Sequence, residues 1–289
     1  MAYRFARSDR SMTDAVRRIA AEEFAHVRSA LADKALPLDR KVHEGRKATK
    51  PLRALLRLTA PVLPGAHDEI AALRAAAGQL SALRDKGALQ ETLAGLELGA
   101  AVTGALSEAL ASSTSVSAAS QRRLLAAFGR DMKTIAARAE FWTLEAEGWK
   151  ALAPGVKRCQ HRLRRSMAVA RSAKSEEPVH EFRKRAKDHW YQTLLLRAAF
   201  PEMMEAYAEA GERLGNDLGL WRDLGLLEEA VGALPAHVLP ADQLSATLSG
   251  IAKARRRALR RAFRIAARLA WETPGDHAAR LKAWWKAAR

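Results

Sequence analysis

The sequence predicts an all-α fold, and three observations carry that reading. Alanine makes up about a fifth of the 289 residues, and with Leu, Arg and Glu it supplies the best helix formers. β-branched residues are sparse, and no run alternates apolar and polar with the period of two that a strand needs. Apolar residues instead recur at helical spacing between sharp Pro, Gly and Ser breaks. At 48% hydrophobic, the chain can also bury a sizeable core.

The elements follow in order. Ser11-x-x-Asp14 reads as a capping box that opens a helix running to about residue 33. Residues 37–39 reset the chain, and a second helix spans about 40–60, ended by PVLPG (61–65). Helical periodicity resumes over about 67–111, with an interruption at Gly87. The small, uncharged stretch ASSTSVSAAS (111–120) is a loop, and a long helical segment follows to about 150. Pro154-Gly155 marks a boundary between two halves, 1–150 and 151–289, of a single domain over 1–289. Helices then span about 156–171, 178–199, 202–234, 242–271 and 276–288. SAKSEEP, Pro201, LPAHVLP and Thr273-Pro274-Gly275 separate them.

Charge narrows the function. Lys and Arg number 49 against 32 Asp and Glu, a net +17. A field of that sign draws polyanions, which leaves nucleic acid, anionic lipid or another phosphate polymer as partners. The lone cysteine, Cys159, excludes an intramolecular disulfide framework and any multi-cysteine zinc or iron–sulfur site. The opening MAYRFARSDR lacks the apolar core of a secretory signal. The most apolar stretch, around 98–106, is far short of the ~18 residues of a membrane span. The expectation is a soluble, cytoplasmic protein with no membrane span.

An internal repeat is the most informative feature. Val42-His43-Glu44-Gly45-Arg46-Lys47-Ala48-Thr49-Lys50 returns as Val179-His180-Glu181-Phe182-Arg183-Lys184-Arg185-Ala186-Lys187, 137 residues later. Leu83-Arg84-Asp85 and Trp221-Arg222-Asp223 match at an offset of 138. Two matches in nearly one register indicate duplication of a unit of about 140 residues.

On a helix, the first copy makes a cationic stripe. His43, Arg46, Lys47, Lys50, Arg53 and Arg57 fall within roughly 120° of arc, with Ala48, Leu52, Leu55 and Leu56 opposite. His180, Arg183, Lys184 and Lys187 repeat the stripe, after which Trp190 and Tyr191 stand where the first copy has Arg53 and Ala54. A run of charges is ordinarily a solvated helix face. Here the stripe is all cationic, although like charges at i,i+4 cost a helix a few tenths of a kcal/mol per pair. The pattern also occurs twice, where neutral drift would have scattered it. Such a stripe suits an extended anion: Arg offers a planar bidentate fork and Lys a mobile point charge. His43 and His180 each offer one ring N–H to a phosphate oxygen or carboxylate. Glu44 and Glu181 point about 100° away and anchor neighbouring cations.

The paired VHExRKxxxK motifs in a long helical chain resemble the CHAD domain, the conserved histidine α-helical domain. The resemblance covers essentially the whole chain, including the opening MTDAVRRIAAEEF helix and the Arg-Asp segment of each half. It implies two helical bundles related by an internal pseudo-twofold axis, with the motif helices lining a basic central groove or pore that binds inorganic polyphosphate. His43, Arg46, Lys47, Lys50, His180, Arg183, Lys184 and Lys187 become the implied contacts. Arg53, Arg57, Arg84 and Arg222 are further candidates, with Asp85 and Asp223 orienting the last two or capping helices. Two more clusters, Arg158, Arg162 and Arg165, and Arg257, Arg260, Arg261 and Arg264, read equally well as solvated faces. Pro51 departs from the family, where another basic residue is common, and a proline there should kink the helix.

Catalysis finds little support. Some CHAD domains are fused to a triphosphatase tunnel domain with an ExExK motif on a strand, but Glu145-Ala146-Glu147-Gly148-Trp149-Lys150 has the wrong spacing and helical surroundings. Neither a GxxxxGK[ST] phosphate loop nor an HExxH zinc helix is present, and no cofactor or metal site is expected. The reading is a non-catalytic polyphosphate-binding module that associates with polyphosphate granules. Nucleic-acid binding through the same helices is the alternative. The shortage of aromatics along the first stripe weighs against it, since single-strand binders stack bases on such rings.

Overall fold

The protein, as a computed structural model, is described over residues 3–80, 83, 86–111 and 117–288. Arg84, Asp85 and residues 112–116 of the Ser-rich loop lie outside the described residues. Among the described residues there are eleven α-helices and no strand. They are α1 (Met12–Ala32), α2 (Leu38–Thr59), α3 (Ala66–Gln79), α4 (Lys86–Ala94), α5 (Ala100–Ala111) and α6 (Ala118–Ala139). There follow α7 (Gly148–Ser172), α8 (Glu177–Leu195), α9 (Pro201–Gly232), α10 (Ala241–Leu269) and α11 (Pro274–Ala287).

Local chemistry explains some of the helix starts. The Ser11 hydroxyl accepts the Asp14 amide at 3.0 Å, and the Thr273 hydroxyl accepts the Asp276 amide at 3.2 Å with Pro274 in the first turn. Helix α2 runs unbroken through Pro51, whose ring is buried and whose carbonyl accepts the Tyr3 hydroxyl at 2.7 Å.

Three apolar cores organise the helices. One is enclosed by α1, α2, α3 and α6 around Ile19, Leu52, Leu55, Leu73 and Phe128. Helix α11 returns to this core, where Trp285 meets the rings of Phe5 and Trp149. The second lies among α7, α8, α9 and α10, with Leu163, Phe182 and Leu218 against an alanine seam of Ala258, Ala262 and Ala266. The third holds α4 and α5 against the end of α9 and the start of α10 through Leu93, Leu106, Leu227 and Ile251.

Three expectations are corrected. Pro154-Gly155 is not a break between helices but lies inside α7. A Cβ on Gly155 would stand 1.8 Å from the Leu58 carbonyl oxygen, so glycine is there to let α7 cross α2 backbone to backbone. The helix expected to reach residue 150 stops at Ala139. Tertiary partners claim the next backbone groups: Leu144 N–H donates to the Thr13 hydroxyl at 3.0 Å, and the Trp142 carbonyl accepts Arg17 at 2.7 Å. The helical stretch over 67–111 divides into α3, α4 and α5, and Gly87 falls within α4 rather than at a break.

Candidate anion-binding site

Helix α2 carries the first motif copy and α8 the second, and the two helices pack against each other. The apolar side of α2 is buried through Ala48, Leu52, Leu55 and Leu56, which turns its cationic stripe away from that core. Lys187 lies within electrostatic reach of Arg183 and of Lys50, and Lys50 within reach of Arg183, Arg46, Arg53 and Lys47. The equivalent lysines of the two copies therefore share one cationic cluster. Burial, and then this company, pulls each ammonium group down to about 8 from the ordinary 10.5. Reduced solvent around the cluster strengthens the mutual repulsion. Arg183 is pulled down by burial as well, with Arg222 adding to the effect and Asp223 opposing it. Its guanidinium lies over α9, where it donates to the Gly215 carbonyl at 3.5 Å and passes Gly219.

The histidines differ. His180 stands 3.3 Å from the Arg222 guanidinium through Nδ1. A guanidinium can only donate, so Nδ1 accepts and the neutral ring keeps its proton on Nε2. Burial, then Arg222 and Lys184, pushes the His180 pKa below its usual value. At neutral pH the ring is an uncharged donor set among cations. His43 is exposed on α2.

The glutamates beside them hold lysines. Glu44 lies 4.0 Å from Lys47, and Glu181 lies 3.5 Å from Lys184, the same i,i+3 pair in each copy. Exposed pairs of this kind contribute about 0–1 kcal/mol, so a multivalent anion can take the lysines over.

A family model for the CHAD domain matches residues 11–232. The chain belongs to the CHAD family. The matched segment begins at the N-cap of α1, ends with α9 and takes in both motif helices. No curated protein and no solved structure matches the chain.

The remaining candidates separate into groups on this CHAD framework. Arg53 continues the motif stripe, donating to the Thr49 carbonyl at 3.2 Å. Arg57 turns instead to Asp188 on α8, at 2.6 Å. Arg222 joins the motif cluster through His180. Arg158, Arg162 and Arg165 line a different cavity together with Arg57. Arg257, Arg260 and Arg264 are exposed on α10, and Arg261 beside them pairs with Asp217 at 2.7 Å.

Sequence reasoning missed Asp188, Arg185 and Arg74. Asp188 accepts a hydrogen bond from Arg57 of α2 and forms an ion pair with Arg185 of its own helix, the latter at 2.9 Å. Burial pushes the Asp188 pKa up, against the pull of Arg57 and Arg185. Its counterpart in the first copy is Pro51, so the repeat itself carried no sign of it.

Among the described residues, no helix is long and apolar enough to cross a membrane.

Proposed function

We propose that the paired motif helices form one basic groove that binds inorganic polyphosphate without turning it over, in a chain whose halves are related by a pseudo-twofold axis. The observation that carries this reading is the convergence of Lys50, Arg183 and Lys187, from both motif copies, into one partly buried cluster. Three cations held together where solvent is reduced raise one another's free energy, and a string of phosphates along them reverses that cost. His43, Arg46, Lys47 and Lys50 on α2 and His180, Arg183, Lys184 and Lys187 on α8 are the assigned contacts. Arg and Lys supply charge, and the neutral His180 supplies a directed Nε2–H. Family membership agrees with a polyphosphate-related role. The protein would accordingly gather at polyphosphate granules.

Contacts of this kind make affinity steeply salt-dependent. A chain that neutralises about six charges loses roughly two to three decades of affinity between 50 and 200 mM salt, taking the single-strand slope. Replacing Arg46, Lys47, Arg183 and Lys184 with Glu abolishes binding of long-chain polyphosphate while leaving helicity and melting nearly intact. Persistent binding would move the contacts elsewhere. Competition at matched salt separates the polyphosphate reading from nucleic acid, and RNA or DNA displacing long-chain polyphosphate would reverse the preference. Incubation with polyphosphate and Mg²⁺ leaves chain length unchanged on this reading.

A further inference from the structure

Helix α8 divides two sets of charges. Relative to His180, Arg183 and Lys187 project at about 300° and 340°, whereas Asp188 and Arg185 project at about 80° and 140°. The first set belongs to the motif cluster. From the second, Arg185 lines a cavity of about 660 Å³ on another side of the helix. Six arginines line it: Arg57, Arg74, Arg158, Arg162, Arg165 and Arg185. They come from α2, α3, α7 and α8, so the charges converge on a volume instead of running along one helix.

Internal partners account for only part of this charge. Arg57 and Arg185 share Asp188, and Arg185 also meets Glu181 at 2.9 Å. Among the described residues, Arg74, Arg158, Arg162 and Arg165 have no carboxylate in ion-pair range. Arg158 is held down in pKa by burial and by its neighbour Arg162, a repulsion that an anion would relieve. Glu177 and Glu181 in the lining, and Asp188 paired with Arg57 and Arg185, offset three of the six positive charges, which leaves an excess of about three. The volume lies within the roughly 300–1,000 Å³ range of small-ligand pockets. Ile70, Val169 and Pro178 give it an apolar wall.

This cavity is not a by-product of the duplicated motif. At the 137-residue offset, Arg57 corresponds to Leu194, Arg74 to Gly211, Arg158 to Ala21, Arg162 to Ala25 and Arg185 to Ala48. Of the six, Arg165 alone has a cationic counterpart, Arg28. The charge was assembled in one place only, apart from the repeat that built the motif face.

We propose that the cavity is a second anion site, separate from the motif face, that takes a compact oligophosphate of three to four negative charges. Free tripolyphosphate and the triphosphate group of a nucleotide share that chemistry. The assignment stands on the cavity alone and does not require the motif face to bind polyphosphate.

Calorimetric titration of the full chain with tripolyphosphate and with ATP, without added metal, tests it. Tripolyphosphate binding should weaken at least tenfold in Arg158→Ala/Arg162→Ala/Arg165→Ala and survive charge reversal of Arg46, Lys47, Arg183 and Lys184. Long-chain polyphosphate should show the opposite pattern, so each site can fail without the other. Arg162→Glu, a single change at an exposed position, repeats the cavity test should the triple variant melt early. Equal loss of ATP and tripolyphosphate assigns the site to nucleotides, and loss of tripolyphosphate with no ATP binding assigns it to the inorganic ion. Absence of tripolyphosphate binding, or binding indifferent to the cavity variants, would overturn the proposal.

Discussion

Lys50 and Lys187 each stand seven residues after the histidine of their own motif copy, and both belong to the cluster where α2 packs on α8. Each gives up its proton near pH 8, whereas lysine in an unfolded chain holds its proton to about 10.5. Between those values the unfolded chain binds more protons, so folding stability rises with pH across the window. The melting temperature should therefore rise between pH 7.5 and 9.5 at constant ionic strength. Anion binding acts in the other sense. Phosphate favours the protonated lysines, so binding at pH 8 takes up protons and affinity falls as pH rises from 7 to 9. Calorimetry in two buffers of different ionisation enthalpy reads the uptake, and zero uptake would remove these lysines from the site.

Arg222 holds His180 by its Nδ1 and adds to the depression of its pKa that burial begins. Arg222→Ala should raise the His180 pKa toward 6.5, followed by NMR of the imidazole resonances. Polyphosphate should produce a rise of the same sign in the wild-type chain, because the added negative charge favours the imidazolium. A His180 resonance that ignores both changes would detach the residue from the cluster and from the ligand.

The motif face was legible because its signal is local. Cations at helical spacing, repeated at one offset, name the helices and the residues that face together. The same locality made Ser11 readable as a cap and Thr273-Pro274-Gly275 as a break between helices. What stayed hidden depends on neighbours distant in sequence. Pro154-Gly155 has the composition of a turn, and only the Leu58 carbonyl of another helix explains the glycine. Residues 140–147 keep the apolar content of a helix, yet their backbone groups are claimed by Thr13 and Arg17. Arg74, Arg158 and Arg185 sit on three helices, each an ordinary charged position in its own segment, and become a cavity lining only after packing. Spacing within one helix cannot express that convergence.

Gly155→Ala tests the α2–α7 crossing. The new methyl would overlap the Leu58 backbone, which has no rotamer through which to yield. Overpacking ordinarily costs about 1–3 kcal/mol, and a clash with backbone belongs at the upper end. Denaturant unfolding should show a loss of at least about 2 kcal/mol. Pro154→Ala, one residue earlier and exposed, should be neutral or stabilising, since it restores a backbone donor to the helix. Were Gly155→Ala as mild as Pro154→Ala, the close approach would not exist in solution.

Acid sensitivity should arise away from the motif face, where α8 meets α11. His189 is 2% exposed, and its ring lies 5.8 Å from that of His277. Glu272 receives His277 at 3.0 Å and a bidentate Arg280, which holds its carboxyl down to about 2. Burial, reinforced by His277 and Arg280, pushes the His189 pKa down to about 3. The unfolded chain takes a proton on this histidine near 6.5 and the folded chain does not. Stability is therefore fully present above 6.5 and is lost as pH falls toward 3. The wild-type melting temperature should drop steadily between pH 7 and 5, and His189→Gln should flatten that slope even if it lowers the melting temperature at pH 7. Equal slopes in the two proteins would place the acid-sensitive group elsewhere, with the buried His277 next to be tested by the same substitution.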